Sequence, residues 1–447
     1  MSNTGSPTLK RSLSLKYVVF FGLAFMAPTT MFSTYGVAVH STNGMIPTAY
    51  IVALIVMLFT AYSYAQMVKA LPNAGAAYTF TQKSLSPHIG FLVGWTILLD
   101  YVLSPMISAL LLGIAMGAYF PSIPMYIWII VFIVTVTSVN ILGITVAAKF
   151  NTGLLFLQFG TLALFVAFSV QGLLNGKGAG TLFSVLPFVD SHVNLSDFMA
   201  VIPLLCFSFL GFDAVTTLSE ETKNPRKSLP RAIYLITIIG GIYYMIGSYF
   251  LQLVWPDYQS FQDPEAAYME IAFEIGGNFL ISYVLAEGIM SSFSSAVASG
   301  TSASRILYAM GRERVLPAKI FGYLSPTYQT PVFNLLLIGS IALCALFLNL
   351  TTAVSLISFG AFFAFTFVNL SVISHYFIRE KQRSMMGTIR YFLIPLIGAC
   401  LTGLFWLKLD IHSLILGSAW LALGFLYLLN LTKMFRQPPP ELAIEEA

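Results

Sequence analysis

The chain has 447 residues, of which 57% are hydrophobic and only 9% charged, against about 25% charged in a soluble globular chain. That composition excludes a water-soluble enzyme or binding module and places the protein in a lipid bilayer. The net charge of +4 says little as a total: the basic residues are unevenly spread and report topology, not a nucleic-acid partner.

Residues 1-16, polar and basic, read as a retained cytoplasmic tail, because the run after them is too long and too polar in its middle for a cleaved signal peptide. Twelve apolar runs follow, each long enough to cross a hydrocarbon core of about 30 Å as a helix. They are 17-39, 46-68, 89-118, 124-142, 152-173, 198-219, 231-254, 279-310, 331-349, 352-374, 391-408 and 412-430, with a second tail at 431-447. With the N-terminus inside, the inner loops hold nearly all the basic residues, from Lys10 and Arg11 through Lys149, Arg231 and Arg312 to Lys433 and Arg436. Only Lys177 and Lys408 fall outside. The positive-inside rule then predicts a multi-pass protein of a bacterial-type cytoplasmic membrane with both termini cytoplasmic.

The first run, YVVFFGLAFMAPTTMFSTYGVAV, gathers Pro28, Thr29, Thr30 and Ser33 at its centre, and the sixth, VIPLLCFSFLGFDAVTTLS, gathers Ser208, Gly211 and Asp213. Proline removes a backbone donor and glycine lowers the cost of leaving helical geometry, so both runs read as interrupted helices. Irregular backbone at membrane depth is tolerated where it is buried in protein or lines a wet cavity. Two such breaks five runs apart predict a five-plus-five inverted repeat, 17-173 and 198-374, with the substrate site between the breaks and 391-430 peripheral. A simple kink at Pro28 and close packing at Gly211 are the alternative.

Three acids sit inside runs: Asp100, Asp213 and Glu287. An ionisable group at the bilayer centre costs at least about 2.5 kcal/mol, so each needs a cavity or a partner. Asp100, Ser104 and Ser108 share one helix face, as do Glu287, Ser291, Ser294, Ser295, Ala298, Ser302 and Arg305. Asp100 reads equally as an interhelical contact. Glu287, nearer the outer end of its run, reads also as an acid reaching into a vestibule. Asp213 directly follows a break and is placed to bind a substrate ammonium or to exchange a proton. Tyr101, Phe207, Phe209 and Phe212 stand near the breaks, to close over a cation or simply to pack. After the sixth run, Glu220, Glu221, Lys223, Arg226, Lys227 and Arg231, with Pro225 and Pro230, form a mixed-charge loop that is a solvated turn or an inner-gate latch.

The five histidines and three cysteines show no metal-ligand spacing, and no cofactor or Walker A motif is present, which argues against an enzyme or an ATP-driven pump. No carbonyl-filter segment points to a channel. The expected partners are a small amine or amino acid, a coupling ion and the bilayer; oligomeric state is left open.

The segments SFLGFDAVTTLSEETKNPRKSLPRAI, ASRILYAMGRERVLPAKIFGYLSPTYQTPVFN, PNAGAAYTFTQKSLSPHIGFLVGW, LLDYVLSPMI and SLISFGAFFAFTFVNLSVIS resemble the amino acid-polyamine-organocation (APC) permeases, and within them the bacterial putrescine importers. The resemblance implies an all-α, LeuT-like inverted-repeat importer, commonly driven by the proton gradient. In amino acid permeases that it resembles, a glycine-rich break in the first helix bares N–H groups to a substrate carboxylate. Here the break is APTTMFS, without glycine, which favours a substrate lacking a carboxylate. Putrescine importers carry an acid where this chain has Ser33 and a neutral residue where it has Glu287. The second carboxylate of the site is then expected to have moved, so that neutralising Glu287 weakens a diamine more than a monoamine. Gln158 stands where some proton-coupled members have a lysine, which puts coupling on Asp213, Asp100 or Glu287, or on sodium held by serine oxygens. An amino acid permease remains the alternative.

Overall fold

The computed structural model describes residues 13–72, 77–142, 148–190, 193–219, 222–312, 315–328 and 330–439. Helix α1 (Leu15–Met26) starts at Ser14, whose hydroxyl accepts from the Tyr17 N–H at 3.4 Å. It stops because Ala27 enters the left-handed region, φ 46°, and Pro28 has no N–H to continue the ladder. Helix α2 (Thr30–Ser41) resumes at 47° to α1. Then come α3 (Ile46–Ala70), the short α4 (Ala77–Ser84) and α5 (Pro87–Tyr119). Ser86 caps α5 through the Ile89 N–H, and Pro87 fills the first position, where no donor is needed. Helices α6 (Met125–Leu142), α7 (Ala148–Leu174) and α8 (Leu195–Phe207) follow.

After Phe207 the chain leaves helical geometry through Gly211, φ 109°, and re-forms as a 3₁₀ turn over Ala214–Leu218. A Cβ at Gly211 would lie 2.5 Å from Phe25 Cδ1 and 3.2 Å from Met26 N, so glycine is required both by φ and by the close approach of the two breaks. Helix α9 (Pro225–Val254) begins earlier than the apolar run predicts, because Pro225 takes the first position and Pro230 is accommodated inside the helix. The mixed-charge loop is therefore shorter than expected, and Glu220 and Glu221 lie outside the described residues. Thr222 instead forms an isolated bridge with Leu13, whose carbonyl accepts from the Lys223 N–H at 2.9 Å.

Helix α10 (Ala267–Arg312) likewise starts before its run, interrupted where Gly277 adopts φ 55° and ψ −151°. Helices α11 (Ala318–Phe321), α12 (Val332–Ala342) and α13 (Leu350–Val372) lead into a π-helical segment, Ile373–Arg379. Helices α14 (Met385–Thr388), α15 (Ile394–Leu407) and α16 (Ile411–Leu431) complete the chain.

Among the described residues nine helices are long and apolar enough to cross a membrane, or ten when α1 and α2 are taken as one bent span. Leu195–Phe207 and Val332–Leu346 are shorter apolar helices. This is a multi-pass, all-helical membrane protein. Helix α5 packs against α10 and α13, and α3 against α9. The central α13 is the most enclosed span, with 83% of its apolar window buried, against 28% for the span containing α15 and 17% for α16, which lie at the periphery.

Candidate functional site

The break between α1 and α2 faces α5 and α10 across a cavity of about 720 Å³. At its deep end Thr29 Oγ1 donates to Glu287 Oε1 at 3.1 Å, and the Glu287 side chain is only 2% exposed. Ser33 lies beside Tyr268, and both Tyr268 and Tyr243 lie in the field of the Glu287 carboxyl. Beside them the Gln158 amide donates to Ser291 Oγ at 2.9 Å, and Tyr243 donates to the Gln158 backbone carbonyl at 3.0 Å. Thr30 Oγ1 and Gln158 Oε1 are buried without a hydrogen-bond partner among the described residues.

Toward its mouth the cavity is walled by Asp100, Ser104 and Ser108 of α5 and by the serine face of α10 as far as Arg305 and Tyr308, then by Tyr328 and Thr330. Tyr119 and Ser282 hydroxyls meet at 3.1 Å, and a Cβ at Gly300 would lie 3.7 Å from Pro105 Cγ, so α5 and α10 run antiparallel. With 1.5 Å rise per residue, this register separates Asp100 from Glu287 by roughly 20 Å along the helices. They are two stations in one cavity.

The N–H groups at the first break are already used. Ala27 donates to Leu23, Thr30 to Ala27, Met31 to Pro28 and Phe32 to Thr29, at 3.2, 2.9, 3.4 and 3.0 Å. Pro28 has no N–H, which leaves at most that of Thr29. A carboxylate would find almost no bare donors here, whereas an ammonium would meet the Glu287 carboxylate, hydroxyls and aromatic rings.

Of the residues singled out by sequence, Thr29, Thr30, Ser33, Phe207, Asp100 and Glu287 line the cavity. Pro28, Tyr101, Ser208, Gly211 and Asp213 are not among its walls. Pro28 and Gly211 shape the breaks. Ser208 is fully buried against Tyr50, with their hydroxyls 3.4 Å apart, and its carbonyl accepts from Tyr244. The Asp213 carboxylate faces the backbone amides of Gly211, Asp213 and Ala214 and accepts from the Tyr64 hydroxyl at 3.4 Å. It lies beside the backbone of its own helix break, where the Ala214 N–H also donates to the Gly211 carbonyl at 3.1 Å, and shares the field of Asp100 with Tyr64 and Tyr101. Glu287 is not an acid snorkelling in an outer vestibule; it sits at the level of the first break. Tyr268, Tyr243 and Tyr64 were not anticipated. Tyr268 precedes the apolar run assigned to its helix, and the other two are tyrosines in an aromatic-rich sequence, with no local pattern to mark them.

A helical bundle that encloses a polar, acid-bearing cavity at a helix break defines, as a class, a membrane permease. The chain belongs to the amino acid permease family, whose model matches residues 17–430, within the APC superfamily. It is 42% identical over 440 residues to the low-affinity putrescine importer PlaP of Escherichia coli K12, covering 98% of this chain and 97% of that one. More distant relatives include the methylthioribose transporter of Bacillus subtilis, 25% identical over 94% of this chain and 93% of that protein. The branched-chain amino acid permease BcaP of the same organism is 23% identical over 89% and 87%.

Proposed function

We propose that this chain is a secondary active transporter that imports a small cationic amine of the putrescine kind across a bacterial cytoplasmic membrane, driven by protons, through alternating access. One observation carries the reading. The helix break offers a buried carboxylate, Glu287, with hydroxyls and aromatics around it, and keeps its own N–H groups satisfied, so it suits an ammonium and not a carboxylate. The similarity to a putrescine importer supports the same choice.

In this proposal the bent α1–α2 pair and the two shorter apolar helices each count as a crossing, which brings the total to the expected twelve, with a five-plus-five inverted repeat and both termini cytoplasmic. The cavity mouth at Arg305 and Tyr328 then opens inward. Glu287 holds one ammonium of the substrate; Asp100, far along the cavity, is out of reach for the other end of a short diamine and acts as a station for the departing cation, and the coupling proton is carried by Asp100 or Asp213. Because a single carboxylate serves the break, loss of Glu287 is expected to weaken mono- and diamines alike, in place of the selective effect expected from sequence.

Uptake of labelled putrescine into proteoliposomes, with and without an inward proton gradient, tests the proposal. Gradient-stimulated, saturable uptake is expected; accumulation unaffected by the gradient would remove proton coupling, and no uptake would remove the substrate class. The alternative, an amino acid permease, draws on the family match and on Ser33 standing in place of an acid, and predicts uptake of an amino acid instead.

A further inference from the structure

Within the connection from α7 to α8, residues 179–189, AGTLFSVLPFV, carry no charged side chain, with Lys177 before them and Asp190 after. The segment is pinned to the bundle at defined points. Tyr249 of α9 donates to the Leu182 carbonyl at 3.1 Å and accepts from the Ser184 N–H at 3.0 Å, and the Phe188 ring lies 5.5 Å from the Tyr249 ring. Thr48 of α3 donates to the Phe188 carbonyl at 2.8 Å. Between the pins Phe183, Val185, Leu186 and Val189 are 88, 70, 77 and 64% exposed.

Two observations identify what covers them. The first is position. Leu235, Ile238, Ile242 and Ile246 form the exposed stripe of α9, at steps of three and four residues, and Tyr249 is its next member. The segment therefore lies on the lipid-facing side of α9. Tyr249 is five residues short of Val254, where the helix ends, so the pin sits about 7.5 Å below that end. Amphipathic segments settle about 5–10 Å into the headgroup and acyl boundary. Leu174 and Leu195, the residues that close α7 and open α8, are also exposed and apolar.

The second is backbone satisfaction. The N–H groups of Phe183, Ser184 and Leu186 bond Thr181 Oγ1, the Tyr249 hydroxyl and Ser184 Oγ, and those of Phe188 and Val189 both bond the Val185 carbonyl. Five of the seven N–H groups of residues 182–189 are thus paired within the protein, which suits apolar surroundings, where an unpaired group is costly.

We propose that residues 182–189 are an interfacial anchor, with Phe183, Val185, Leu186 and Val189 inserted into the lipid leaflet at the end of the bundle opposite the cavity mouth. The partner is the bilayer itself, and the anchor fixes the link between α7 and α8 against the tilting of either.

The test uses the full chain with Phe183→Cys, in a background where the exposed Cys344 and Cys400 are replaced by serine. It is labelled with bimane and reconstituted in vesicles of phosphatidylethanolamine and phosphatidylglycerol. Lipids with a nitroxide near the headgroup end of the acyl chain should remove most of the emission, and aqueous iodide should remove little. Quenching by iodide without quenching by the labelled lipid would overturn the proposal, as would shielding from both, which means that protein, such as a second copy of the chain, covers the loop. Leu186→Cys, read in parallel with thermal unfolding of each variant, keeps the result independent of one misfolded protein.

Discussion

Glu287 and Thr29 illustrate how a single acid is kept inside a membrane protein. The carboxyl is sheltered from lipid, holds one hydroxyl donor and leaves its remaining acceptor capacity toward the cavity. If it pairs with a substrate ammonium, Glu287→Gln removes one member of a buried charge pair. That costs at least about 2 kcal/mol, or on the order of 30-fold in half-saturation, for putrescine and for a monoamine of the same length. Transport kinetics of the two amines check this, and a loss confined to the diamine would restore a second carboxylate at the break. Thr29→Val, which removes only the donor, should cost on the order of 5-fold, in line with about 1 kcal/mol for one hydrogen bond. Gly211→Ala should lower stability by roughly 1–3 kcal/mol through its positive φ and the contact with Phe25, seen as a lower unfolding temperature in detergent. An unchanged midpoint would mean that the breaks are not held in contact as described.

The acids were readable as intramembrane groups from their positions in the apolar runs; what each one faces was not. Asp213 sits next to a break in sequence, yet its carboxylate turns back to its own amides, a choice made by the φ of Gly211 two residues earlier. Glu287 falls near one end of its apolar run because that run begins later than the helix does: α10 gains a polar, acid-bearing first stretch, including Tyr268, that hydropathy cannot see.

At the scale of elements the breaks themselves were legible, since proline without glycine at one and glycine beside an acid at the other are local signals. The pairing between the segments that flank them was not, because one backbone bridge leaves no pattern in sequence. Leu13 and Thr222 tie the segment before α1 to the segment after the 3₁₀ turn, so these half-helices are expected to move as one body during the transport cycle. A disulfide formed between Leu13→Cys and Thr222→Cys should leave uptake near that of the reduced protein. Reversible loss of uptake on oxidation would show that the two ends must separate.

Across the whole molecule, the apolar runs anticipated a multi-pass, all-helical membrane protein, because the distribution of hydropathy is dictated by the bilayer. Substrate choice is a subtler property, resting on which donors the break leaves free. In the proposed function, the site receives an ammonium and has no place for a carboxylate. Putrescine and ornithine differ by one carboxylate on an otherwise similar diamine, so the most direct measurement is the initial rate of putrescine uptake into proteoliposomes under increasing unlabelled ornithine. Ornithine in large excess is expected to leave the rate nearly unchanged, while unlabelled putrescine abolishes it. Competition by ornithine at concentrations equal to those of putrescine would overturn this reading and would mean that the APTTMFS backbone holds a carboxylate after all.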